Sequence, residues 1–221
     1  MPSLKVHLET GKRIASKLNF SPQEELELLV GCILPDVNNG FINSPKTKYS
    51  HDYTHYSYNG ESASARNFYN SYTEKIKARE PIFLGYLLHL FVDVYFNQHF
   101  YQEFRKSPMS QGLNKDQQCS IKHHDFWIYD TNFTSPLDLT PEIIEAIVPV
   151  SNQIANVQIV PEDMVEINEL LHNSDINKRI VGGPVDGEPY TFCDQAFMDR
   201  LLEGSIEEFT DQYLKGEDTN A

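Results

Sequence analysis

The chain has 221 residues, 40% of them hydrophobic, and its 18 Lys and Arg face 32 Asp and Glu for a formal net charge of −14. That apolar content supports a buried core over most of the length and excludes a disordered chain, while so acidic a surface makes a nucleic-acid duplex or an anionic membrane surface a poor partner. The three cysteines, Cys32, Cys119 and Cys193, are odd in number and widely spaced. This suits neither a disulfide framework nor a thiolate zinc knuckle, and it points to a reducing compartment. The opening stretch, Met1 to His7, carries no apolar signal core. The longest apolar run, Pro81 to Phe96, is interrupted by His89 and Asp93 and is short for a membrane span. The expectation is a cytoplasmic protein with no transmembrane segment.

In chain order, residues 3–18 are predicted as a first helix, with Leu4, Leu8, Ile14 and Leu18 on one stripe. Ser21, Pro22 and Glu24 read as cap, first-turn proline and capping box of a second helix. It continues through Leu26, Leu29, Val30 and Ile33 and is expected to stop at Pro35. Residues 36–60, rich in Asn, Ser, Tyr, Pro and Gly, are expected to form a long loop. Helical spacing resumes from Ala63 to Lys77. Pro81 opens the most apolar helix, reaching Tyr101 or beyond, and turn signals fill 106–114. Asp116 to Tyr129 reads as another helix, and further helices begin at Thr140-Pro141-Glu142 and Val160-Pro161-Glu162. The segment 173–190 reads as a loop or small hairpin, Asp194 to Leu214 as a closing amphipathic helix, and the tail from Gly216 as disordered. Strand signals are few, so the fold class is all-α.

The histidines carry the chemistry. Seven of the eight stand at 7, 51, 55, 89, 99, 123 and 124; His172, in Leu-Leu-His-Asn, suits a helix C-terminus better than a metal. His89 and Asp93 are four apart and share a helix face. His99 lies roughly 80° around from His89 and about 15 Å along the axis, so the trio spans too far for one ion but could serve two, with Asp93 between them. Asp is almost never buried unpaired, and three such residues on the most apolar helix favour a metal over satisfied core polar groups. Imidazole with carboxylate suits zinc, and also iron or manganese. His7 alone reads as a satisfied core histidine, and Asp36 after Pro35 as a turn former. His51 and His55, among Tyr49, Tyr53, Tyr56 and Tyr58, are each open as ligand or as loop surface. Of the adjacent His123 and His124, followed by Asp125, at most one points inward with any cluster.

Taken in order, His7, Asp36, Thr54-His55-Tyr56, His89-x-x-x-Asp93-x-x-x-x-x-His99 and His123 or His124 resemble the ligand pattern of the zinc-dependent phospholipase C family. The resemblance covers residues 1 to about 130. It implies a multi-helix phospholipase C-like bundle with two or three zinc ions held by His7, Asp36, His55, His89, Asp93, His99 and His124, with His51, His123 and Asp125 as weaker candidates. It further implies metal-dependent hydrolysis of a small phosphorylated substrate, with Asp36 orienting or deprotonating the attacking water. The chain departs from the pattern at the late histidine, which the family follows four residues on by Glu: Trp127 and Ile128 stand there instead. That departure points to fewer than three ions. The implied organisation is a metal-binding helical core over 1–135 and a helical extension over 136–221 packing on the same domain.

Two other readings compete. An all-α HD-type phosphohydrolase would use His51-Asp52 or His124-Asp125, but it leaves His89 and His99 unexplained. A non-catalytic metal-binding protein would account for the broken late motif.

Overall fold

The computed structural model describes residues 4–37, 50–57, 64–132, 140–157 and 187–215, and every regular element among them is helical. The elements are α1 (Leu4–Leu18), α2 (Pro22–Val37), α3 (His51–Thr54), α4 (Ala65–Ser71), α5 (Thr73–Lys77), α6 (Pro81–Lys106), α7 (Lys115–Asn132), α8 (Pro141–Ser151) and α9 (Gln195–Phe209). The all-α expectation therefore holds.

The axis of the bundle is α6. Every residue from Ile82 to Asp93 is buried, so this stretch has no solvent face, and its two ionisable residues, His89 and Asp93, are enclosed with it. Its most extensive neighbour is α2, and α1, α4, α5 and α9 also pack on it, while α8 lies on α2 and α9 also touches α1 and α7. Two glycines let α2 and α6 meet backbone to backbone. A Cβ on Gly31 would stand 2.4 Å from the Ile82 carbonyl oxygen, and one on Gly85 would stand 2.1 Å from that of Leu28. No side chain fits either position without moving a helix.

The helix starts follow the sequence signals. Glu24 reaches back to the Ser21 N–H at 2.8 Å, and the Ser21 hydroxyl accepts from the Glu24 N–H at 3.4 Å, which is the expected capping box. Thr140 and Asp194 cap α8 and α9 with side-chain oxygens that accept the N–H groups of Ile143 and Phe197, without a reciprocal bond from those apolar residues. Three boundaries differ from expectation. First, α2 does not stop at Pro35 but carries it inside the helix as far as Val37, placing Asp36 on the helix; Pro35 has no N–H to give the carbonyl one turn back. Second, the expected loop over 36–60 contains α3, capped by Ser50, whose hydroxyl accepts from the Tyr53 N–H at 3.3 Å. Third, the helix expected over 63–77 is broken at Tyr72 (φ −131°, ψ 28°), where the ring packs against Phe68 and Phe83. Residues 38–49, the helix expected after Pro161, His172, most of 173–190 and the tail from Gly216 lie outside the described residues. No helix among the described residues is long and apolar enough to cross a membrane.

Candidate metal centre

Five buried polar side chains from four parts of the chain converge where α1, α2 and α6 meet: His7 from α1, Asp36 from the end of α2, His55 just after α3, and His89 and Asp93 from α6. The His89 and His55 Nε2 atoms lie 3.3 Å apart. His55 Nε2 is 3.5 Å from Asp36 Oδ1 and 3.5 Å from Asp93 Oδ2, and His89 Nε2 is 3.9 Å from Asp36 Oδ2 and 3.7 Å from Asp93 Oδ2. A tetrahedron with arms of about 2.0–2.1 Å, the usual zinc–nitrogen and zinc–oxygen distances, has edges of about 3.3–3.4 Å. The two imidazole nitrogens stand at that spacing, and the nearest carboxylate oxygens lie 3.5–3.9 Å from them.

The protons decide what the group is for. His89 Nδ1 lies 2.8 Å from the Cys32 carbonyl oxygen, and His55 Nδ1 lies 3.1 Å from the His51 carbonyl oxygen. A carbonyl only accepts, so each Nδ1 carries its ring's proton and donates it. In the neutral rings both Nε2 atoms then present bare lone pairs to each other at 3.3 Å. A metal ion or a proton between them removes that repulsion, and an Nδ1–H held by a carbonyl is the usual orientation of a metal-binding histidine. Both Asp93 oxygens and both His7 nitrogens are buried without a hydrogen-bond partner, although His7 Nε2 is 3.4 Å from Asp93 Oδ1. Orphaned polar atoms of this kind are rare in a folded interior unless an ion or water completes them. Asp93 thus turns one oxygen to His55 and His89 and the other to His7. Two overlapping sets, His7 with Asp36 and His89, and His55 with His89 and Asp93, each bring ligand atoms within 4.8 Å of one another.

The profile of the family described as zinc dependent phospholipase C matches residues 6–135, more than half of the chain and all five of these residues. The chain belongs to the zinc-dependent phospholipase C family. Neither the comparison with curated proteins nor the comparison with solved structures yields a match. The donor set fits the zinc that names the family: borderline-soft imidazole with carboxylate, and no thiolate among these five residues.

Electrostatics point the same way. Burial pushes His89 down to about 3, and the charge of His7 beside it acts in the same direction. Burial also works against the charged form of His55, but the Asp93 and Asp36 carboxylates beside its Nε2 outweigh that and raise it. Burial alone would raise Asp93, yet the His89, His55 and His7 imidazoles hold it well below the carboxylate range. The space between these groups favours positive charge, and the His89 ring does not supply it.

The structure separates His51 from His55. His55 points into the zinc-dependent phospholipase C cluster, while His51 stacks on its outer side at 3.8 Å and stays partly exposed. The remaining candidates are not brought into the group. His99 stacks on Tyr95 at 3.9 Å, and its Nδ1 bonds the Tyr95 carbonyl oxygen at 2.8 Å. His123 stands 3.7 Å from Cys119 Sγ. His124 faces Glu188 at 3.2 Å and the Thr191 hydroxyl at 3.0 Å. Asp125 accepts the N–H groups of Thr191, Phe192 and Cys193 at 2.6, 2.8 and 2.7 Å, which fully occupies a buried carboxylate in holding the chain before α9. The HD-type doublets fare no better: Asp125 is committed to that anchor, and Asp52 is exposed, 3.8 Å from His51.

Sequence reasoning missed the supports. The Cys32 carbonyl orients His89, the Thr54 hydroxyl lies 3.1 Å from His55 Nδ1, and the buried Tyr86 hydroxyl donates to the Thr54 carbonyl and ties α3 to α6. Only Thr54, in the Thr-His-Tyr motif, carried a sequence signal.

Proposed function

We propose that this chain is a zinc-dependent phosphoester hydrolase acting on a small phosphorylated substrate, with Asp36, His55, His89 and Asp93 holding one ion and His7 with the second Asp93 oxygen holding another. The observation that carries the reading is the facing pair of Nε2 atoms, closed on both sides by Asp36 and Asp93. Zinc at such a site supplies a Lewis acid and makes a nucleophilic hydroxide available near neutral pH.

The chain's own residues do the rest. His89 and His55 are locked in one tautomer by the carbonyls of Cys32 and His51. Asp93 is sealed, with a side-chain exposure of 2%, and sets the charge of the interior; Asp36 keeps 10% and stands on the solvent side. Asp36 is therefore the carboxylate able to orient the attacking water and accept its proton. His51, stacked on His55 and partly exposed, would form part of the wall against which a substrate rests. The unpaired cysteines fit a cytoplasmic setting.

The test is metal analysis of the purified chain, followed by hydrolysis of chromogenic phosphodiesters and phosphomonoesters with and without a strong chelator. Bound zinc, hydrolysis lost on chelation and restored by zinc, and a lower melting temperature after chelation are the expected results. A chain that retains no zinc and melts identically with and without chelator would sink the proposal.

A further inference from the structure

We propose that the Lys122 ammonium is a fixed cation of this centre, standing one helical turn beyond Asp93 and confining zinc to the inner ligands. The proposal rests on the inner zinc site described above. Lys122, on α7, is buried, and lysine is almost never buried without a partner. Its Nζ donates to Asn97 Oδ1 at 2.8 Å and sits 5.3 Å from the centroid of the Tyr101 ring. Asn97 and Tyr101 follow Asp93 at successive steps of four on α6, so the three form one row on that helix. Lys122 closes this row from the α7 side. Burial disfavours its ammonium, and the charge of Asp93 supports it.

A hydrogen bond to a neutral amide does not neutralise a buried ammonium, so the acidic centre itself has to supply part of the counter-charge. The residues that would otherwise build an outer ion site beside Asp93 are committed elsewhere: His99 to Tyr95, His123 near Cys119, and His124 to Glu188 and Thr191. The positive charge beyond Asp93 is thus covalently part of the chain. Its cost is repulsion: a permanent cation near the inner ligands weakens every dication bound there, and removing it should tighten zinc binding.

Zinc titration of the full chain by calorimetry, with metal analysis after dialysis, tests this on wild type, Lys122→Met and Lys122→Arg, with circular dichroism to check folding. Wild type is expected to saturate at no more than about two ions per chain. Lys122→Met keeps the stem, loses the charge and should bind zinc about ten-fold more tightly, while Lys122→Arg stays within about two-fold of wild type. A wild type that takes up no zinc overturns the inner site. A third ion in wild type, or unchanged or weaker binding in a folded Lys122→Met, overturns the fixed cation and leaves the inner site standing. Should Lys122→Met fail to fold, Lys122→Gln, which removes the charge but keeps a polar donor for Asn97, replaces it with the same expected tightening, and unchanged binding there overturns the fixed cation.

Discussion

Gly85 lies so close to Leu28 that a Cβ on it would stand 2.1 Å from the Leu28 carbonyl oxygen. Gly85 is one turn before His89 on α6, and the α2 backbone it touches leads on to Asp36. The contact therefore sets the distance between the two helices that supply three of the five converging side chains. Gly85→Ala must push α2 and α6 apart. The expected result is destabilisation of at least about 2 kcal/mol, from overpacking at a backbone contact, together with a weakened zinc affinity. Urea unfolding of the metal-free protein and zinc titration of the variant measure the two effects. Wild-type values for both would mean that the helices do not need this approach.

Some of the centre is written in the sequence and some is not, for identifiable reasons. His89 and Asp93 are legible because a spacing of four forces two side chains onto one helix face. His55 is legible only through its Thr-His-Tyr context. Nothing about His7 in an amphipathic helix separates a ligand from a core histidine, and Pro35 reads as a stop that leaves Asp36 in a loop. His99 fails differently. Because α6 is enclosed on every side over its first half, a modest angular difference selects a different neighbour, and six residues past Asp93 that neighbour is Tyr95 on its own helix. The close passage at Gly31 and Gly85 carries no sequence pattern beyond the glycines themselves, since it depends on which two helices meet.

Asp125 yields a prediction of the opposite kind. Its carboxylate holds three consecutive backbone N–H groups ahead of α9, and hydrogen bonds to a charged acceptor are worth about 1.5–3 kcal/mol each, with further loss when donors are left buried and unpaired. Asp125→Ala should therefore lower stability by roughly 3 kcal/mol. Zinc affinity should stay within about three-fold of wild type, because Asp125 does not reach the cluster. Denaturant unfolding paired with zinc titration separates the outcomes. A large loss of zinc at unchanged stability would make Asp125 a ligand.

Asp130 gives a pH dependence. Burial raises its carboxyl to about 7, against the charge of Lys5, and one of its oxygens has no hydrogen-bond partner. An acid whose pKa is higher folded than unfolded keeps a proton that the unfolded chain releases. Its contribution to stability therefore falls as pH rises from about 4 to 7 and levels off above that. The cost at pH 8 is on the order of a few kcal/mol. Asp130→Asn cannot ionise, so it should be more stable than wild type at pH 8 and nearly equal to it at pH 4.5. Thermal melts of the metal-free proteins at the two pH values test this; an equal gain at both would show that the burial of charge is not the cause. His89 works in the other sense: with its folded pKa pushed down to about 3, it costs stability as pH falls below its unfolded value of about 6.5. Asp130→Asn therefore needs comparison against wild type at the same pH.

The last prediction concerns Asp93 and His99, which share a helix but not a role. Asp93 directs one oxygen at His55 and His89 and the other at His7, so it is placed to lie between two ions. Asp93→Asn keeps the size but removes the negative charge, and two nearby dications then repel each other without screening. His99 spends its Nδ1 on the Tyr95 carbonyl and its ring on the Tyr95 side chain. Asp93→Asn is expected to weaken zinc binding by at least about 100-fold, beyond the 10- to 100-fold typical of outer-shell changes, and to abolish phosphodiesterase activity. His99→Ala should leave both within about three-fold of wild type. Metal stoichiometry and turnover of a chromogenic phosphodiester, measured side by side, read the difference. Equal losses in the two variants would place His99 at the centre after all, and full zinc retention in Asp93→Asn would reduce Asp93 to a buried structural carboxylate and leave the two-ion arrangement without its bridge.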